Sequence, residues 1–600
     1  MRSDRGAEAR PAVDPIGALD SALSKLRPRL RRVGEERVAY LFLAATFAIA
    51  AVLILVWGRG QSFVNDEWSY LVVRDFSLEA VLTPQNGHLI AVPLLLYETL
   101  FATLGADSHL PFQVATVALH LTVALLFFLL VRPRAQLPVA VALTVLVVFF
   151  GAGWDTIMGG YEIPNLVGMA AGLAMLLALE RRSVTGDATA CALLLVSLAS
   201  FGVGVAFALG AGLSIWLGGR REWRRAWVPL LPIAVYLGWF LWARKFDQSQ
   251  VSAEALSGIF SGMADQLAAI AAAISGLFRV PGSAELAETI SIRPEWGYPL
   301  AVVLAGLAVL HAGRRPRSIR FWTVAGILVA YLALVALGLD EARAPNASRY
   351  VYLGGVFTLL LVAELARDVR WSTAVGLVAF VLLCLSLMTN VGELRAGGRL
   401  FAAEGDTNRA TLAALELSRD RVDPNLPVED GSTAHSHPDM LFPAWAYFEA
   451  AGEFGSPAFD LEQLEGAGGQ AREAADQELV RALAIGAEPL ADRRPLGRPV
   501  RPKPLSADSG RALPAGRCLV LIPAPGREAT FQLELPPGGF AYRIAPQAEA
   551  TVTLGRFGDL PTTELRPFRG SAEVAIPPDA AATPWLAELR TEVRTLACPR

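Results

Sequence analysis

Two adjacent carboxylates, Asp66 and Glu67, follow the first long apolar run of the chain at residues 39–57. Apolar and aromatic residues flank the pair on both sides. Charged side chains at the edge of a membrane are costly to place and are functional candidates by default. Carboxylates can also take up a proton during a reaction. The pair is therefore the first candidate for catalysis, and the alternative is an ordinary polar end of a loop.

Further charged and aromatic groups occur in the later loops. Asp155 and Glu162 flank one turn, and a group with two arginines fills another. For the acids the alternative is again a polar loop end, and for the arginines it is anchoring at the membrane interface. Besides the acidic pair, the candidate residues are Arg74, His88, Asp155, Glu162, Arg343, Arg349 and Tyr350.

The elements that must position these groups are membrane-spanning helices. Of 600 residues, 53% are hydrophobic and 18% are charged, whereas soluble domains carry about 25% charged residues. Several apolar runs reach the roughly 17–25 residues needed to cross hydrocarbon. Backbone groups in lipid must be satisfied within the segment, so we expect helices. About eleven spans are predicted, near residues 39–57, 111–131, 136–152, 162–180, 188–200, 202–217, 226–243, 298–312, 319–338, 350–366 and 371–390.

Basic residues in the loops orient these spans. If the N-terminal segment 1–38 is cytoplasmic and the first span is uncleaved, arginine clusters fall in every inside loop. These clusters are Arg132/Arg134, Arg181/Arg182, Arg220/Arg221/Arg224/Arg225, Arg314/Arg315/Arg317/Arg320 and Arg367/Arg370. The acidic pair and the rest of loop 58–110 then face the outside, and an odd span count places the chain beyond 390 outside too.

Beyond residue 390 the composition changes. Residues 391–505 are predicted to form an extracytoplasmic region of helices and loops that ends in a Pro/Arg-rich linker. Short strands such as CLVLIPA and ATFQLEL alternate with turns in 506–600, which predicts a β-sandwich. Cys518 opens the first of these strands and Cys598 closes the last, so a disulfide is expected outside the cell, with two unpaired thiols as the alternative. The predicted fold class is a polytopic α-helical membrane protein with a C-terminal extracytoplasmic α+β region.

The pattern over residues 40–220 resembles the GT-C superfamily of membrane glycosyltransferases. The resemblance rests on the uncleaved first span, the acidic pair in a long first loop, and His88 and Pro93 at the head of an apolar loop helix. It includes the run FATLGADSHLPFQVATVALHLTVALLFFLLVR. The likeness is greatest to the protein mannosyltransferase and aminoarabinose transferase type. That type has His-Pro-Pro after the acids, whereas this chain has only His88 with Pro93 five residues later.

The resemblance implies inverting transfer of a sugar from a polyprenyl-phosphate donor to an envelope glycan, lipid or protein acceptor at the outer face. Asp66 would be the general base, and Glu67 would assist it or orient the acceptor. Arg343 and Arg349, with Tyr350 nearby, would stabilise the phosphate of the leaving group, and Arg74 is a weaker candidate. No cofactor is required by the sequence, although some relatives use a divalent metal at the acidic pair.

Two other classes of protein compete with the enzyme. One is a transporter or flippase of envelope lipids, and the other is a degenerate relative that only binds glycan. Transporters show internal repeats and charges at the middle of the membrane, whereas the acids here cluster at one face. The sequence contains no glycine-rich phosphate loop, dinucleotide fingerprint or nucleic-acid patch. The excess of arginine over lysine suggests a GC-rich bacterial genome, so the expected location is a bacterial plasma membrane.

Overall fold

A computed structural model describes residues 34–64, 66–72, 77–246, 253–278, 294–338, 344–367, 369, 371–428, 442–490, 501–578 and 581–600. The helices before residue 250 are α1 (Glu35–Trp57), α2 (Asp66–Val72), α3 (Leu78–Leu82), α4 (Ala91–Leu104), α5 (Leu110–Val131), α6 (Leu137–Val148), α7 (Trp154–Met158), α8 (Ile163–Glu180), α9 (Val184–Leu198), α10 (Val203–Leu217) and α11 (Trp227–Ala243). The later helices are α12 (Ala253–Ser275), α13 (Gly297–Arg314), α14 (Ile319–Leu337), α15 (Ser348–Ala366), α16 (Thr373–Leu417), α17 (Ala444–Phe454), α18 (Leu461–Gly466) and α19 (Gly469–Ala482).

The chain divides into two compact units. The bundle unit comprises Met1–Trp57, Leu78–Leu95 and Gln113–Gly398. The second unit comprises Gly58–Ser77, Leu96–Phe112 and Arg399–Arg600. The second unit therefore contains the loop with the acidic pair as well as the whole C-terminal region.

In the described part of the chain, ten helices are long and apolar enough to cross a membrane. Two more of the predicted spans are the shorter apolar helices α9 and α10, which a break at residues 199–202 separates as expected. Every predicted span coincides with a helix. Helix α12 also meets the length and composition criteria, although its segment is not among the eleven predicted spans. The chain is a polytopic helical membrane protein, as predicted.

Helix α12 contacts several neighbours of the bundle unit near their ends. Gly297, the first residue of α13, packs directly against Ala268. Gly354 in the second turn of α15 packs against Ile270. Farther along α12, the carbonyl of Ala273 accepts a hydrogen bond of 3.1 Å from the amide of Asn390 in α16. These contacts hold α12 against α13, α15 and α16.

Helix α16 continues well beyond the last predicted span. It has 45 residues, so it is about 68 Å long at 1.5 Å per residue, roughly twice the hydrocarbon thickness of a bilayer. Its C-terminal half, from residue 391, is rich in alanine, leucine, glutamate and arginine, all good helix formers. The change of composition at residue 391 therefore does not mark the end of the helix.

The C-terminal region is rich in β-structure. Its strands are β1 (Pro427–Val428), β2 (Phe442–Pro443), β3 (Ala487–Pro489), β4 (Lys503–Asp508), β5 (Gly510–Ala515), β6 (Cys518–Pro523), β7 (Ala529–Glu534), β8 (Gly539–Arg543), β9 (Glu549–Gly555), β10 (Thr563–Glu564), β11 (Phe568–Arg569), β12 (Ala572–Ala575), β13 (Leu586–Thr591) and β14 (Thr595–Pro599). One antiparallel sheet has the order β10-β9-β13-β7-β4, with β11 also on β9, and the other has the order β3-β12-β8-β14-β6-β5.

The two large sheets enclose a common apolar core. Phe531 and Val552 from one sheet and Leu521 and Tyr542 from the other are buried in one cluster. This is the arrangement of a sandwich, because each sheet contributes alternate residues to the space between the sheets. The β-prone run RTEVRTLAC at residues 590–598 is divided between β13 and β14 by residues 592–594.

A disulfide joins Cys518 to Cys598, as expected from their positions at the two ends of the strand pattern. Cys518 is the first residue of β6, and Cys598 lies in β14, the strand that pairs with β6. The bond closes a long loop, with a sequence separation of 80 residues. The two remaining cysteines, Cys191 and Cys384, are free.

Candidate functional site

The acidic pair forms the first turn of the short helix α2. Asp66 is partly exposed, whereas Glu67 is completely buried, with 0% of its surface accessible. Adjacent helical residues point about 100° apart, so the two carboxylates face different surroundings. The pair therefore has one member that faces inward and one that is accessible.

Glu67 is held by two hydrogen bonds within the second unit. The backbone N–H of Val64 donates to its Oε2 at 3.2 Å, and Nε2 of His109 lies 2.9 Å from its Oε1. His109 is 3% exposed and lies just before α5. Sequence reasoning did not identify His109, because 42 residues separate it from Glu67. A polar residue directly before a long apolar helix was the one available signal.

Other parts of the second unit fix the chain around α2. The side-chain amide of Asn408 in α16 donates a hydrogen bond of 2.6 Å to the carbonyl of Phe63. The ring of Trp68 lies 5.0 Å from that of Phe442 and 6.0 Å from that of Tyr447. A seven-residue helix is too short to be stable alone, so these tertiary contacts must hold α2 in place.

A second cluster lies in the bundle unit, in the turn between α6 and α8. Asp155 lies in α7, and Glu162 ends the 3-10 turn Gly160–Glu162; both are 4% exposed. The hydroxyl of Tyr161 donates a hydrogen bond to Asp155. Oε2 of Glu162 accepts from the amide of Asn165 at 2.7 Å and from the hydroxyl of Thr156 at 3.2 Å. Both carboxylates are therefore oriented by neutral donors.

Helix α15 brings a positive charge to this cluster. Its first residue, Ser348, donates a hydrogen bond of 2.8 Å to the carbonyl of Ala152 and accepts one of 3.3 Å from the N–H of Asp155. The next residue, Arg349, is partly buried and interacts electrostatically with both Asp155 and Glu162. The structure thus brings together candidates from loops about 190 residues apart.

Tyr350 contributes its ring and its carbonyl to the same region. The Arg349 guanidinium lies 5.2 Å from the centroid of the Tyr350 ring. The Tyr350 carbonyl accepts a hydrogen bond of 3.0 Å from the hydroxyl of Tyr331. The start of α15 is therefore held against both the 151–155 turn and α14, which restricts where Arg349 can reach.

Asn390 fixes the turn that leads to Asp155. Its Oδ1 accepts a hydrogen bond of 3.0 Å from the N–H of Ala152. A Cβ on Gly151 would lie 1.6 Å from the carbonyl oxygen of Asn390, so only glycine allows this approach. Sequence reasoning missed both residues, because they lie 239 positions apart in the chain and neither has a side chain that suggests catalysis.

The remaining candidates are placed differently. Arg74 and Arg343 lie outside the described residues. The ring of His88 lies 4.3 Å from that of Phe201, and its backbone pairs with that of Gln85. His88 thus packs in the bundle unit at the break between α9 and α10.

The described residues do not fit a metal site at the acidic pair. No group of three or more His, Cys, Asp or Glu side chains is close enough to hold an ion within the described ranges. Both oxygens of Glu67 already accept hydrogen bonds.

A cavity of about 720 Å³ opens in the β-sandwich. Seven of its 18 lining residues are prolines, and Arg556 and Trp585 also line it. None of the described candidate residues lines it. The chemistry-bearing groups and this cavity are therefore separate features.

The fold and the two clusters define a polytopic membrane protein with buried, oriented charges at helix ends and a β-sandwich domain. No protein-family model matches the chain, and no curated protein matches it in sequence. The structure of ArnT from Cupriavidus metallidurans bound to undecaprenyl phosphate is similar, with 14% identity over 64% of this chain and 82% of that chain and a TM-score of 0.41.

Two further solved structures are similar to the chain. The apo state of the same ArnT has 14% identity over 70% of this chain and 92% of that chain, with a TM-score of 0.39. Arabinosyltransferase EmbB from Mycobacterium smegmatis has 12% identity over 92% of this chain and 64% of that chain, with a TM-score of 0.32. Both proteins are GT-C glycosyltransferases, the superfamily that the sequence pattern resembles.

Proposed function

We propose that the chain is an inverting glycosyltransferase that moves a sugar from a polyprenyl-phosphate donor to a cell-envelope acceptor. The reaction would take place at the outer face of a bacterial plasma membrane, with the N-terminus in the cytoplasm. The β-sandwich lies outside in this proposal, in which the eleven predicted spans cross the membrane and α12 lies along its outer surface. The observation that carries the proposal is the division of the acidic pair, because Asp66 is partly exposed directly after the first span while Glu67 is buried and held by His109.

Asp66 is the general base of the proposed reaction. The hydroxyl of the acceptor gives its proton to the Asp66 carboxylate as the acceptor oxygen bonds to the anomeric carbon of the sugar. Such a base must come within about 3 Å of the proton that it takes, and a partly exposed carboxylate on a fixed helix meets that requirement. Glu67 cannot do the same, because it is completely buried and an acceptor hydroxyl does not reach it.

Arg349 serves the leaving group. The bond between the anomeric carbon and the phosphate oxygen breaks with its electron pair, which leaves polyprenyl phosphate and a glycoside of inverted configuration. A guanidinium can hold two phosphate oxygens at once, and a preorganised donor at the site of developing charge lowers the barrier. Asp155 and Glu162 interact electrostatically with Arg349. Arg343 belongs to the same proposal as a second phosphate ligand.

The test uses a strain that lacks this chain and variants expressed in it. Wild type should restore one or more envelope glycans that mass spectrometry shows to be missing from the deletion strain. Asp66→Asn keeps the size of the side chain but is no base, so the glycan should stay absent while the protein accumulates normally. Asp508→Asn, which makes the same substitution at an exposed carboxylate of β4, serves as the matched control and should restore it.

Three outcomes would overturn parts of the proposal. If Asp66→Asn restores the wild-type glycan profile, Asp66 is not the base. If the lipid-linked sugar that accumulates in the deletion strain stays on the cytoplasmic leaflet, the transporter alternative is correct. If the deletion strain shows no change in its glycans or its lipid-linked sugars, and the purified protein retains glycan, the chain binds glycan and is not an enzyme.

A further inference from the structure

We infer that His109 is a positioning residue for Asp66 and acts through the carboxylate of Glu67. The inference rests on the proposed function, in which Asp66 is the base. Asp66, Glu67 and His109 all lie within the second unit.

The Glu67–His109 pair is enclosed by apolar side chains. The exposed fraction is 0% for Glu67 and 3% for His109. The rings of Phe63 and Phe112 lie 5.1 and 5.9 Å from the His109 ring. A carboxylate in such surroundings depends on the donors that it meets, because no water replaces a missing one. Glu67 has two donors, the N–H of Val64 and His109.

The hydrogen bond fixes the histidine as well as the glutamate. To donate to a carboxylate, Nε2 must carry a proton. Nδ1 of His109 is buried and has no hydrogen-bond partner within the described residues. The bond to Glu67 is therefore what sets the ring orientation, and His109 has no second polar contact among those residues that would explain its burial.

The loop before His109 is itself held by α17. The N–H of Ala106 donates a hydrogen bond of 2.6 Å to the carbonyl of Phe454, and Asp107 accepts one of 3.0 Å from the N–H of Ser456. Gly455 has a φ of +91°, and a Cβ there would lie 2.1 Å from Oδ1 of Asp107. Hydrogen bonds of two preceding residues, Ala106 and Asp107, therefore fix the loop that carries His109.

The consequence for Asp66 follows from the geometry of α2. Asp66 and Glu67 share the first helical turn, and Glu67 is its fixed member. If the carboxylate of Glu67 loses its partner, that turn can fray and Asp66 no longer keeps one direction. A misplacement of about 1 Å can lower a catalytic rate about 100-fold. His109 would then affect the rate without touching the substrate.

The experiment compares four variants of the full-length protein: His109→Leu, His109→Gln, Glu67→Ala and the double variant Glu67→Ala/His109→Leu. Membrane vesicles of the deletion strain supply the acceptor, and a lipid extract of the same strain, in which unused donor accumulates, is added in increasing amounts. The initial rate of glycan formation gives an apparent kcat and KM. Thr591→Val, which removes a buried hydroxyl in β13 of the same unit, is the control for lost stability.

We expect His109→Leu to lower kcat about 100-fold with little change in KM. His109→Gln retains a donor for Glu67 and should recover most of that loss, at a Tm similar to that of His109→Leu. The double variant should be no slower than Glu67→Ala alone, because His109 acts through Glu67. Thr591→Val should lower Tm and leave kcat unchanged.

The inference is overturned if the two His109 variants have the same kcat, or if the losses in the double variant multiply. It also fails if kcat follows Tm across all variants, Thr591→Val included. Failure of the proposed function looks different, because Asp66→Asn would then remain active or no glycan would depend on the chain. If Asp66→Asn is inactive while His109→Leu keeps its kcat, the positioning role of His109 alone is wrong.

Discussion

The side-chain amide of Asn165 donates a hydrogen bond of 2.7 Å to Glu162, whose carboxylate also faces Arg349. This contact joins the first turn of α8 to the charge cluster of the bundle unit. Together with the bonds from Thr156 and Tyr161, it means that neutral side chains orient both carboxylates before any substrate binds. Arg349 is therefore the charged residue of this cluster best placed to respond to a bound anion.

Two substitutions of Arg349 test separately its positive charge and its ability to bind two phosphate oxygens. Arg349→Lys keeps the positive charge between Asp155 and Glu162 but cannot hold two phosphate oxygens. We expect normal stability and a turnover about 100-fold lower, as for the loss of one preorganised donor. Arg349→Met leaves the two acids unbalanced and should lower the free energy of unfolding by about 3 kcal/mol. Thermal unfolding and glycan formation in the vesicle assay measure the two effects.

Glu162→Gln, combined with Arg349→Met, tests whether Arg349 balances the charge of Glu162. In the background of Arg349→Met it removes one of the unbalanced charges, so part of the lost stability should return. Equal instability of Arg349→Met and the double variant would show that Arg349 does not balance this carboxylate.

Gly151 should not tolerate a side chain. Its Cβ position lies 1.6 Å from the carbonyl oxygen of Asn390, so Gly151→Ala must move the turn that leads to Asp155. Overpacking of this kind costs about 1–3 kcal/mol, and activity should fall with it. Gly392→Ala in α16 meets nothing within 4 Å and should be neutral or stabilising by about 0.5–1 kcal/mol. Scanning fluorimetry of both variants tests this, and equal Tm values would contradict the close approach.

The Cys518–Cys598 disulfide should stabilise the β-sandwich chiefly by closing a long loop. For a separation of 80 residues the chain-entropy model gives about 4–5 kcal/mol. We expect the double variant Cys518→Ser/Cys598→Ser to become sensitive to protease within residues 501–600, while the bundle unit stays resistant. Cys384→Ser, which removes a free cysteine, controls for the substitution itself. Unchanged cleavage of the double variant would show that the sandwich does not need the bond.

The helices and the β-sandwich were predictable, because apolar length and strand alternation are local properties of the sequence. Asp155, Glu162 and Arg349 were identified as candidates from residue type and loop position, but nothing local shows that they meet. His109, Asn390 and Gly151 matter through contacts that span 42 to 239 positions, and their side chains resemble those of ordinary packing residues.

The continuation of α16 to Leu417 was missed for a different reason. Hydropathy indicates whether a segment lies in lipid or in water. Helix formation depends on the helix propensity of the residues, and good helix formers continue past the apolar run. The same distinction explains β13 and β14, where a continuous β-prone run conceals a turn at residues 592–594.

Asp476 in α19, whose carboxylate contacts residues 556–558 after β9, gives a prediction about pH. Burial raises the pKa of Asp476 above its ordinary value, although the backbone N–H groups of Arg556, Phe557 and Gly558 donate to the carboxylate at 2.8–2.9 Å. The folded state therefore binds a proton more readily than the unfolded state does. Stability from this group is fully present below its unfolded pKa and declines as the pH rises through the raised folded pKa.

Asp476→Asn removes this titration. At neutral pH the variant should be less stable than wild type by about 1–3 kcal/mol, because its amide nitrogen cannot accept from the backbone N–H groups. As the pH falls from about 7 to 4, the advantage of wild type over the variant should increase, since only wild type gains from the proton. Thermal unfolding of both full-length proteins across this range measures the difference. An advantage that shrinks on acidification would mean that the three N–H donors outweigh burial and that the pKa of Asp476 is lowered.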